Sequence, residues 1–134
     1  FPGIGTAAGA VLGAIGGGIA SHFCVLHEAG YGADSVEVAI VRRFRDLYLD
    51  KPMLRAYYAS YETVAERMQR DMAYRAQIRT GLTDRLVRYA ADVMHMPYMP
   101  LQRGDAEFAT LFLHRLQVIG RGLPEFIRKN GERI

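Results

Sequence analysis

The sequence predicts an all-α protein: an N-terminal glycine-zipper helix, set in a membrane, followed by a small helical bundle. Three features point there. Gly5, Gly9, Gly13 and Gly17 recur every four residues in a stretch with no charge before Glu28. From Val36 onward, apolar residues recur at helical spacing among charged ones. No segment sustains the apolar–polar alternation of a half-buried strand, and no Asn-Gly pair sits between β-branched runs.

Residues 4–26 read IGTAAGAVLGAIGGGIASHFCVL. As a helix, these roughly 23 residues span about 34 Å, close to a bilayer's hydrocarbon core. The spacing stacks the four glycines on one face and leaves a groove for a second backbone, the kind of packing that associates helices in lipid. In water each glycine costs a helix about 1 kcal/mol relative to alanine. Seven glycines among the first 18 residues therefore argue for lipid, where the backbone must bond to itself. A packed soluble hairpin and a disordered segment are the alternatives. The stretch is similar to glycine-zipper segments of bacterial envelope proteins and of secreted toxins that insert into membranes.

Gly30-Tyr31-Gly32 breaks this helix and divides the chain into a zipper, 1–29, and a bundle, 30–134. Asp34 reads as an N-cap with Glu37 as its acidic partner. The helix that follows, about 35–49, places Val36, Ile40, Phe44 and Leu47 on one stripe. Pro52 restarts the chain as a first-turn proline. Leu54, Tyr57, Tyr61, Val64, Met68 and Met72 hold helical spacing, and Ile78 continues it. Gly81 and Thr83 predict an interruption, after which Leu82, Leu86, Tyr89 and Val93 carry the next helix. The two prolines of His95-Met-Pro-Tyr-Met-Pro-Leu enforce a loop. Asp105 reads as the cap of a helix bearing Phe108, Leu111, Phe112, Leu116 and Ile119. Gly120 and Gly122 are expected to end it, and Pro124 to open a short terminal helix closed by Asn130-Gly131.

The 134 residues suit one ordinary domain. A net charge of +3 and a pI near 9.2 are mildly basic, well short of a nucleic-acid-binding excess. Arg67, Arg70, Arg75, Arg79, Arg85 and Arg88 lie along one basic stretch, but nearly balancing acids weigh against nucleic acid as a partner. Of the 17 basic residues all but Lys51 and Lys129 are arginine, which suits pairing to carboxylates, phosphates or lipid head groups. A single cysteine, Cys24, excludes an internal disulfide framework. The chain begins at Phe1 rather than Met, as a processed or partial chain does.

Cys24-Val25-Leu26-His27-Glu28-Ala29-Gly30-Tyr31-Gly32 aligns without a gap on the Cys-Phe-Ile-Ala-Thr-Ala-Ala-Tyr-Gly of the bacterial CFI-box domain, which the sequence resembles over residues 24–68. Arg43-Phe44-Arg45-Asp46, Tyr48-Leu49, Arg55-Ala56 and Tyr57-Tyr58 follow in the family's order. Val25, His27 and Glu28 depart from the pattern, and Tyr61-Glu62 stands where the family has Ser-Pro. The resemblance implies a bacterial origin and a helical module; it brings no activity with it.

His22, Cys24, His27 and Glu28 form the one cluster of ligand-type residues. A zinc site would need about four ligands, hence His95 or His114 by folding, or a second chain. A Cys24 nucleophile with His27 as base would lack an orienting third group. The blander expectation is a boundary where the apolar helix meets water. Asp46 with Asp50, and Glu62 with Glu66, are spaced for acid–base work, but the neighbouring arginines favour solvated ion pairs. The tyrosines at 57, 58, 61 and 74 are expected in core or interface rather than stacked on a base or quinone. The glycines lack the Gly-Lys-Ser/Thr of a phosphate loop.

The sequence thus favours a non-catalytic, membrane-anchored assembly or accessory subunit that packs against other membrane helices, its own or a larger complex's, through the zipper glycines, with no cofactor. A secreted effector that inserts its zipper into a target membrane is the second expectation, and a Cys24-dependent enzyme the third. Arg42, Arg43 and Arg45, within about 15–20 residues of Leu26, place the bundle on the cytoplasmic or matrix side. There they could meet anionic lipid at about 1 kcal/mol each.

Overall fold

A computed structural model describes residues 24–130, with side chains through 122, and a two-residue antiparallel pairing of Pro2–Gly3 with Gly5–Thr6. Such a pairing is far too short to stand as a sheet. Gly5 lies in it; Gly9, Gly13 and Gly17, and with them the expected zipper helix, lie outside the described residues. Among the described residues no helix is long and apolar enough to cross a membrane.

The described bundle is all-helical. It comprises α1 (Val25–Tyr31), α2 (Val36–Tyr48), α3 (Lys51–Arg70), α4 (Met72–Ile78), a π turn (Arg79–Thr83), α5 (Asp84–Val93) and α6 (Asp105–Asn130). The segments α4, π turn and α5 run on without a break, so five rods make the bundle.

Local chemistry sets most boundaries. Gly32, at φ +93°, ends α1 and sends its N–H to the Glu28 carbonyl; only glycine adopts that backbone cheaply. The cap of α2 is Ser35 rather than Asp34. Its Oγ accepts from the Val38 N–H at 3.2 Å and donates to the Gly32 carbonyl at 2.8 Å. A hydroxyl can do both; a carboxylate at Asp34 could only accept. Asp50 caps α3 by accepting from the Met53 N–H at 2.9 Å, with Pro52 in the first turn. Asp71 separates α3 from α4. Its backbone is extended, and its side chain accepts from the Tyr74 N–H at 3.0 Å, which starts a new helix where the apolar spacing ran on. The interruption expected at Gly81 is instead the π turn, through which the rod continues without ending.

Helix α3 is the central element. One face meets α6 and another meets α1, around Leu26, Met53, Ala56, Tyr57, Met68, Phe112 and Leu116. A second cluster joins α2 to α5 through Ile40, Phe44, Val87, Ala90 and Ala91. The α2 stripe is therefore narrower than its spacing implied: Val36 and Leu47 are exposed, and Val38 is buried in their stead. Met72 is exposed as well, because the break at Asp71 rotates it off the α3 face.

Asp105 is buried and belongs to an ion pair rather than a simple cap. Arg88 donates to it through Nε at 2.7 Å and Nη2 at 3.1 Å, Arg85 through Nε at 3.3 Å, and the Gln102 N–H at 2.9 Å. The Arg88 hydrogen bonds foremost hold its carboxyl down at about 2 despite burial. This cluster fixes the corner where the two-proline loop turns α5 into α6.

Helix α6 also continues through Gly120 and Gly122, where an end was expected. Gly120 serves close approach. A Cβ there would lie 2.8 Å from the Pro52 carbonyl oxygen at the start of α3, whereas one at Gly122 would meet nothing within 4 Å. The two glycines should therefore respond oppositely to substitution. Gly120→Ala should destabilise by about 1–3 kcal/mol through overpacking, and Gly122→Ala should stabilise by about 0.5–1 kcal/mol through helix propensity. Urea unfolding of both variants measures the signs.

Candidate functional site

The site starts from a helix end that has to be satisfied inside the protein. The first N–H groups of any helix lack intrahelical partners, and Cys24, at the cap of α1, supplies no side-chain bond. The Leu26 N–H is served from another helix: it donates to the Tyr57 hydroxyl of α3 at 3.1 Å, in a buried bond. Burial foremost, with the Cys24 sulfur nearby, pushes the Tyr57 phenol well above its ordinary range, so it stays protonated.

Beside this bond α1, α2, α3, α5 and α6 line a partly open cavity of about 60 Å³, several times the roughly 10–15 Å³ that one water needs. Its polar wall is Cys24, His27, Arg45 and Tyr57; Phe44, Leu49, Leu86, Tyr89, Phe112 and Leu113 supply most of the rest. Cys24 is 2% exposed. Burial lifts its thiol to about 11, although Arg45 and Arg42 pull the other way, and Arg45 Nη1 donates to the sulfur at 3.7 Å. At neutral pH the sulfur is therefore a thiol, not the thiolate that nucleophilic chemistry requires.

His27 is 4% exposed. Burial lowers its pKa to about 3, opposed by a hydrogen bond to the Thr83 backbone in the π turn. A bond that raises the pKa is one the ring donates, so the acceptor is the Thr83 carbonyl. Nε2 has no hydrogen-bond partner. With Nδ1 carrying the proton, Nε2 presents a buried lone pair. The ring also stacks on Tyr31, whose hydroxyl donates to Asp84 and accepts from the Thr83 hydroxyl.

The cluster noted at the sequence level is thus divided. Cys24 and His27 share the cavity wall and lie in the core, not at a water boundary. Glu28 turns to Arg42 Nη2 at 2.8 Å. His22 lies outside the described residues. His95, in the two-proline loop, and His114, on α6, are both exposed. Among the described residues no three of His, Cys, Asp and Glu converge on a common metal position. Of the three arginines expected to face lipid, Arg42 binds Glu28, Arg45 binds Asp46 at 2.8 Å and reaches Cys24, and Arg43 is exposed. The paired acids take separate tasks: Asp46 meets Arg45, Asp50 caps α3, and Glu62 accepts from the Tyr58 hydroxyl at 3.0 Å. Arg45 and Tyr57 were not legible as site residues. Tyr57 sat in an apolar stripe and Arg45 in a basic run, and only folding sets them beside Cys24.

No family model, curated protein or solved structure matches the chain.

Tyr57→Phe should strand the buried Leu26 N–H and cost about 1–3 kcal/mol, read from urea unfolding at neutral pH. Stability should also fall with acid in a defined window. His27 titrates near 6.5 when unfolded and at about 3 when folded, so its contribution is complete above 6.5 and is lost as pH falls toward 3. The slope from one proton is at most about 1.4 kcal/mol per pH unit. His27→Phe should flatten the decline between pH 6.5 and 4, above the range in which Asp105, at about 2, begins to contribute a fall of the same sign.

Proposed function

We propose that the chain is a non-catalytic accessory module, anchored by its glycine zipper, that packs through the stripe centred on Gly9, Gly13 and Gly17 against other membrane helices. One observation carries this reading. Cys24, Val25, Leu26 and His27, the last residues of the uncharged N-terminal stretch, are all buried in the bundle, so that stretch leads in sequence straight into the packed core. A zipper held by a partner helix would keep the bundle beside that partner, which suits an assembly subunit. The state of the thiol supports the same reading, since a protonated, buried Cys24 beside a neutral His27 is poorly suited to nucleophilic catalysis. In this reading the bundle lies on the non-translocated side, with Arg43 as the exposed member of the basic run.

The test is replacement of the groove. Gly9→Leu and Gly13→Leu should each lower recovery of the oligomer or complex several-fold while the chain stays in the membrane fraction, because leucine separates backbones yet inserts better than glycine. Equal recovery from both variants and the unsubstituted chain would overturn the proposal.

A further inference from the structure

Helix α6 has two faces. Asp105, Ala109, Phe112, Leu116 and Gly120 are buried against the rest of the bundle. On the opposite side Glu107, Leu111, His114, Val118 and Arg121 form an exposed file, spaced by alternating steps of four and three residues. Leu111 is 69% exposed and Val118 51%. Apolar residues that recur at this spacing mark the face of a helix that packs on another. Among the described residues nothing covers them, and neither Glu107 nor Arg121 has an ion-pair partner.

We propose that this face of α6 pairs with the same face of a second copy of the chain, the two helices antiparallel about a two-fold axis at His114. The order of charges along the file selects that occupant. Glu107 stands seven residues before His114 and Arg121 seven after it, about 10 Å to either side at 1.5 Å per residue. The two-fold therefore sets Glu107 of each copy beside Arg121 of the other, and Leu111 of each beside Val118 of the other. The charged and the apolar contacts both come from one patch, as a self-complementary interface requires. A parallel pair would set Glu107 on Glu107 and Arg121 on Arg121, and the repulsion selects against it. Arg115 stands to the side of the file, near Tyr61 of α3. The contact is separate from the zipper, which in the reading above joins the chain to membrane helices.

Cross-linking of the full chain in detergent tests this. Under mild oxidation His114→Cys should form a disulfide-linked dimer, and the unsubstituted chain, whose Cys24 is buried, should not. In the His114→Cys background, Glu107→Arg or Arg121→Glu alone should slow the cross-link at least about fivefold, and the two together should restore it to within about twofold. A mixture of Glu107→Cys and Arg121→Cys chains gives a second measure, of the register itself: the two should cross-link to each other far faster than either does to itself. Both cross-links should persist in Gly9→Leu, so loss of this contact and loss of the zipper are read separately. Three results would overturn the proposal: no cross-link from either His114→Cys or the mixture, which leaves a different protein as the occupant of the face; self-cross-linking of Glu107→Cys, which sets the helices parallel; or no recovery in the doubly reversed chain.

Discussion

The Tyr57 hydroxyl on the Leu26 N–H is the constraint on which the bundle is arranged. A seven-residue helix is too short to hold itself together in water, so α1 exists because the bundle encloses it. Enclosure brings its open N-terminus away from solvent, and an open N-terminus inside a protein needs an acceptor. A long side chain from the central helix reaches it. Tyr57 meets that need with its oxygen and contributes its ring to the core, where Tyr61 and Phe112 pack against it. The position of α1 then decides where Cys24 and His27 lie, and so where the cavity's polar wall lies.

The other end of α1 is held by a different compensation. The π turn departs from regular helical bonding, and the ring of His27 takes up the Thr83 carbonyl there. Arg79, from the same turn, lies over the Tyr31 ring at 4.5 Å. Gly30 allows this approach, since a Cβ there would sit 3.2 Å from Arg79 Cγ. A buried polar atom, an aromatic face and a missing side chain thus dock one short helix onto one irregular stretch of another.

Much of the helical plan was legible in the residues. Apolar spacing located α2, α3, α5 and α6, Pro52 marked a helix start, and the prolines of the 95–101 stretch marked the loop. The departures come from residues whose role depends on distant partners. Asp105 looked like a cap because acids at helix starts usually are; its partners Arg85 and Arg88 are some 20 residues away in sequence. Gly120 looked like a stop because its neighbour in space, Pro52, is far along the chain. Asp71 was hidden inside an unbroken apolar spacing. The site fared similarly: Cys24 and His27 stood out by type, but their burial, and the partners Arg45, Tyr57 and Thr83, follow only from the packing of five rods.

The π turn also sets how much length the chain can vary. In a continuous rod each residue adds about 100° of rotation. A π turn holds one residue more than an α turn over nearly the same rotation, so removing one residue between Arg79 and Thr83 leaves α5 close to its phase, and only a second removal turns it by about that angle, carrying Val87 out of the α2 interface and Arg88 away from Asp105. The loop between Val93 and Asp105 has no helical register to keep, but it is held by contacts: Met94, Met96 and Tyr98 pack on the α2–α5 cluster, and the Tyr98 hydroxyl donates to Glu37 at 2.9 Å. A deletion of one residue should therefore be absorbed around Gly81, where even an added Cβ would meet nothing within 4 Å. The turn's extra residue, rather than any contact, is the slack the fold holds there.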